Sequence, residues 1–367
     1  MVDFSRPLEL EEWLQSLPTT ALRAFATRAA LQVLPYAFGL ADSSSRSFNH
    51  QQLLLACFRG NVVSGLVGVG LSEEASSLPV DALETLNTAN NTDALSTLVD
   101  PNDTITAVAA TFYSTRADDA QIIHDLMADV PTYGTDRARA LTVDAEALTI
   151  APESTAQLFA TELWHGPVPE PYAALSQAFF ESAPGTPWEF WAEWYKKMLN
   201  GNPLDWELQR RVALIENSIW MEGPEAVARE IEKIQARRHV ELTLAELNDS
   251  FKAQPLSRLG IGGNNPPESI QDEHLVGALT LIWEAEKELS NALDQESPAR
   301  EWIEAILAKF KFGLAGFLKW CASKGDLAVD TLIKWGIPAT GAGYAVKYPE
   351  KIEALIKAVE QWLPFLS

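Results

Sequence analysis

The chain has 367 residues, 47% of them hydrophobic, and 50 acidic against 28 basic side chains give it a net charge of −22. That much apolar material excludes wholesale disorder, and the length suits two or three domains. An acidic surface is repelled by phosphate backbones and anionic lipid, which excludes non-specific nucleic-acid binding and adsorption of the whole molecule to membranes.

The two cysteines, Cys57 and Cys321, stand far apart with no paired spacing, which fits a reducing compartment and argues against a disulfide scaffold or zinc site. The opening stretch MVDFSRPLELEEWL has no apolar core of a secretory signal. The longest uncharged run in the last hundred residues, 335–346, has 12 residues and is broken at Pro338. A spanning helix needs about 20. These features predict a soluble, cytoplasmic protein.

Residues 1–163 contain one tryptophan, Trp13, no lysine, and 8 arginines against 21 acids. Apolar side chains recur there at three- and four-residue steps, as in 21–34 and 105–130, which predicts several short helices. The best strand signal is 140–150, where alternation is partial and a helix starting at Asp144 is equally compatible. Residues 164–257 are rich in tryptophan. A helix is predicted from Thr186-Pro187 to Asn200-Gly201, and another from Pro224, with Glu225 in its first turn and Arg237 and Arg238 in its last. A glycine- and proline-rich stretch, 258–268, then reads as a linker. Beyond it, 269–367 is expected to form a bundle of long helices, the second capped by Ser297 and Pro298 and the last opened by Pro349. From Pro298 onward 9 bases face 7 acids, so this tail alone is not strongly acidic. The fold class expected is all-α.

The linker, RLGIGGNNPPESI, has the glycine content of a phosphate-binding loop. Gly260, Gly262 and Gly263 follow a charged helical segment rather than a strand, and no Lys-Ser/Thr pair follows, so a phosphate cradle is not indicated. Asn265 before Pro266-Pro267-Glu268 suits a helix start. The five histidines, His50, His124, His165, His239 and His274, form no metal-ligand spacing and are expected at the surface or at helix ends. No G-x-S-x-G elbow is present, since Val62 precedes Ser64 where glycine is required. No catalytic residue, cofactor or metal is therefore assigned.

Two apolar patterns are sharper. Trp188, Trp191 and Tyr195 share one helical face and would either fill a core or grip a partner. In 302–321, at about 100° per residue from Trp302, the apolar side chains including Ile306, Phe310, Phe317 and Trp320 fall in an arc of about 160°. Lys309 and Lys311 flank that arc, and Phe312 alone leaves it, at about 280°. Such a helix would face the core of a bundle, meet a partner, or enter a membrane interface.

At GIGGNNPPE (260–268) the chain resembles a signature, GIGHNxPPE, of proteins from alphaproteobacteria and their phages, and the tryptophan-rich block 188–231 is similar to one in the same group. The resemblance covers about residues 160–270 in detail. It implies a three-part layout, an alanine-rich helical region and a variable tail separated by the signature, and brings no activity with it. Gly263 stands where the signature has histidine. The functional expectation is a non-enzymatic helical interaction or adaptor protein that binds a protein partner or itself. The alternatives are a membrane-acting effector using the C-terminal helices, and an enzyme on an unfamiliar helical scaffold.

Overall fold

The computed structural model describes residues 7–41, 48–71, 101–115, 135–252, 273–324 and 344–367; the expected linker 258–268 lies outside them. Among the described residues there are fourteen α-helices and no strand, so the fold is all-α. The segment 140–150 lies in a helix, Thr135–Ile150, rather than a strand. The chain divides into two compact units, Met1–Ile231 and Glu232–Ser367. The tryptophan-rich segment up to Ile231 lies in the same unit as the alanine-rich segment. The physical reason is aromatic: the rings of Trp188, Trp191 and Trp194 are buried against Phe58.

The first unit is built around α2 (Thr19–Val33), following α1 (Pro7–Ser16). Every residue of α2 from Ala21 to Val33 is buried, which its run of alanines permits because small side chains let neighbours approach from all sides. Against it pack α3 (Phe48–Gly68), α4 (Pro101–Thr115) and α5 (Thr135–Ile150). A Cβ on Gly68 would lie 3.0 Å from the Ala24 backbone, so glycine permits the α2–α3 crossing. Short helices follow: α6 (Thr155–Phe159), α7 (Tyr172–Ser182), α8 (Glu189–Leu199), α9 (Trp206–Ala213) and α10 (Asn217–Glu222). Gly201, at φ +62°, brings the end of α8 against the Thr161–Glu162 backbone, where a Cβ would sit 2.4 Å from the Thr161 carbonyl carbon. Gly223, at φ +109°, ends α10 and Pro224 starts α11 (Pro224–Lys252).

Helix α11 does not stop after Arg237 and Arg238, as the basic residues suggested, but continues to Lys252. The Arg237 guanidinium serves another helix, donating to the carbonyls of Leu293 and Gln295 at 2.8 Å and of Glu296 at 2.6 Å. The second unit joins the later part of α11 to α12 (Glu273–Leu293), α13 (Arg300–Lys324) and α14 (Tyr344–Trp362). Pro349 lies inside α14 and not at its start. The α12–α13 contact is close because Gly313 and Gly316 face Ala278 and Ile282; a Cβ on Gly313 would meet Ile282 Cγ1 at 2.6 Å.

Candidate functional site

The first unit holds a buried ionic cluster. Arg28 on α2 interrupts an alanine-rich run, and Asp144 on α5 sits between Val143 and Ala145. Arg28 Nε donates to Asp144 Oδ2 at 2.8 Å, with side-chain exposures of 1% and 0%. The other guanidinium nitrogens donate to the carbonyls of Leu158 (2.9 Å), Thr161 (3.1 Å) and Glu162 (2.9 Å). His165, held at φ +50°, places Nε2 2.7 Å from Asp144 Oδ1. A carboxylate only accepts, so Nε2 carries the proton. A histidine oriented by aspartate is half of a nucleophile-activating relay. Here the Nε2 contacts of His165 are to Asp144 and Arg28, and the Thr161 hydroxyl of the same cluster donates to the Leu158 carbonyl. The cluster is a clip that ties 158–165 to α2 and α5. Its members are 116 and 21 residues apart, so no local motif could reveal them; the one available sign was a charge set inside each apolar run. His50, expected at the surface or at a helix end, is buried in the first turn of α3.

A second polar seam joins α2, α3 and α4. The Thr27 and Ser64 hydroxyls are 2.6 Å apart, and Ser64 donates to the Ser114 carbonyl at 2.7 Å. Beside it, Asn61 donates to the Cys57 carbonyl and to Thr111 Oγ1. Burial pushes the Cys57 thiol up to about 12, against a smaller opposing hydrogen bond with Thr111, so it is no nucleophile at neutral pH.

The aromatic face proposed from sequence points inward. Trp188, Trp191 and Tyr195 are all buried. Trp191 stacks on Phe58 at 4.8 Å, Tyr195 meets Phe38 edge-on at 5.0 Å, and the Tyr195 hydroxyl donates to the Leu31 carbonyl. Their neighbour Trp194 donates to Gln209 Oε1 at 2.8 Å. These rings are the core of the first unit. An open cleft of about 580 Å³ borders them, with Phe38, Phe179 and Trp188 at its base and Gln51, Thr186 and Glu225 as polar lining. Among the described residues, Glu225 is the one carboxylate there. No group of three or more His, Cys, Asp or Glu side chains that could hold a metal occurs among the described residues.

In the second unit, Ile306, Phe310, Phe317 and Trp320 are buried in one cluster with α12 and α14, and Trp302 packs half-buried at its edge. The flanking lysines are paired: Lys309 with Glu288 at 2.6 Å, Lys311 with Glu360 at 2.6 Å. Phe312 leaves the arc as its angle predicts and is 71% exposed. It lies on a solvent-facing strip with Ala305 and Ala315, beside Leu318 at 42%. On the shorter helix α5, Val143 (38% exposed) and Ile150 (85%) are also exposed, seven residues apart. No helix among the described residues is long and apolar enough to cross a membrane. No family model matches this chain, and neither do the curated proteins or the solved structures.

Proposed function

We propose that this chain is a non-enzymatic helical interaction protein of the cytoplasm, which binds a protein partner or further copies of itself. The observation that carries this reading is the exposed strip of α13, where Phe312 presents a whole ring to solvent from a helix whose opposite face is already buried. An exposed aromatic set among small side chains is the kind of anchor that protein interfaces use. The ionic cluster supports the same reading, because its histidine, aspartate and arginine are spent on one another and on backbone carbonyls. The acid excess disfavours nucleic acid as the partner. A membrane role would need the arc from Ile306 to Trp320, and those side chains and their lysines are engaged within the second unit.

The test is capture by the immobilised full chain. Phe312→Asp, with an unchanged unfolding temperature, is expected to lose most of the protein captured by the parent chain, its own soluble copies included. Equal capture by the two proteins would overturn the reading.

A further inference from the structure

Resting on that reading, we infer that the occupant of the α13 strip is a second copy of the same helix, packed antiparallel about a two-fold axis. The strip runs Glu301, Ala305, Ala308, Phe312, Ala315 and Lys319, at alternating steps of four and three residues. All are exposed except Ala308, which is half-buried. Alternating four- and three-residue steps make the seam of a two-helix coil, in which each side chain seats in the facing helix. Aligning the strip with a reversed copy of itself gives one register in which size and charge agree at every layer. Phe312 then faces the partner's Ala308, Ala305 faces the partner's Ala315, and Lys319 faces the partner's Glu301. The largest side chain meets one of the smallest, and the cation at one end meets the anion at the other. Because the axis is two-fold, each contact occurs twice.

A parallel pairing would set Phe312 on Phe312, Lys319 on Lys319 and Glu301 on Glu301, and gains none of this. The remaining lysines do not oppose the antiparallel pairing. Lys309 and Lys311, beside the seam, are matched by Glu288 and Glu360 of their own chain. A single helical seam falls at the small end of interface size, so the dimer is reversible and concentration-dependent.

Sedimentation of the full chain over a range of concentrations tests this, with Glu301→Lys, Lys319→Glu and the double exchange compared at equal thermal stability. The expected result is a monomer–dimer equilibrium, weakened by about tenfold in each single variant, since both copies of the charged contact become repulsive. The double exchange restores it. A monomer at every concentration, or a dimer indifferent to the single changes, would overturn the antiparallel pairing. If the chain stays monomeric yet Phe312 still governs capture of another protein, self-pairing fails and the interaction reading stands. If Phe312 governs neither, both fail.

Discussion

Arg28 and Asp144 meet at 2.8 Å inside the first unit although 116 residues separate them, and neither side chain reaches solvent. This pair ties α5 to α2. It has a direct consequence for stability. Removing one member leaves the other as a buried, unmatched charge, which costs about 3–5 kcal/mol, whereas removing a neutral hydrogen-bond partner costs about 1 kcal/mol. Asp144→Ala is therefore expected to lower the unfolding temperature of the first unit by roughly 10 °C, and His165→Ala by only a few degrees. Differential scanning calorimetry of the two variants checks the ranking.

The α12–α13 crossing gives a paired comparison between neighbouring glycines. A methyl group at Gly313 would press on Ile282 Cγ1 at 2.6 Å and the Ala278 carbonyl oxygen at 2.9 Å, while at Gly316 the nearest atom is Ala278 Cβ at 3.1 Å. Gly313→Ala is expected to destabilise the second unit by about 1–3 kcal/mol through overpacking. Gly316→Ala is expected to be near neutral, because a helix-propensity gain of up to about 1 kcal/mol offsets a small adjustment. Urea titrations of the two variants measure the difference.

Glu207, at the start of α9, is held down at about 2, first by its hydrogen bond from Arg210 and next, against some desolvation, by Arg211. A carboxylate lowered on folding adds stability that is fully present above its unfolded pKa and lost as pH falls through the folded one. The Glu207 contribution is therefore expected to be complete above about 4.5 and to fade between about 4.5 and 2. Glu207→Gln should flatten that part of the stability–pH profile and leave its shape at neutral pH unchanged, as read from thermal midpoints across the range.

The cysteines report local opening. Burial raises both thiols, and Cys57, wholly enclosed, more than the half-buried Cys321. At neutral pH a thiol reagent is expected to modify Cys321 first. Cys57 should react only at the rate at which the first unit opens, so denaturant should accelerate it steeply. Mass spectrometry of timed alkylation separates the two sites.

Much of the helix layout was legible in the sequence because its signals are local. Gly223-Pro224 ends one helix and starts the next, and the angular position of Phe312 places it outside the apolar arc where it is indeed exposed. What the sequence could not show was whatever depended on a distant partner. Spacing puts Trp188, Trp191 and Tyr195 on one face, but only the fold brings Phe58 and Phe38 to that face. Arg237 resembled a helix-end signal since basic residues favour C-termini, yet the terminus it serves belongs to α12. Arg28, Asp144 and His165 carry no shared motif, so their meeting was invisible until α2, α5 and the 158–165 segment were brought together.

If proteins bind at the Phe312 strip, position 312 comes into contact with another chain. A photo-reactive phenylalanine analogue at position 312 of the full chain, compared with the same group at exposed Glu353 on α14, tests it most directly. The expected result is a crosslinked species that forms from position 312, dominated by the dimer of the chain, with little from position 353. Crosslinking from 312 no greater than from 353 would contradict it.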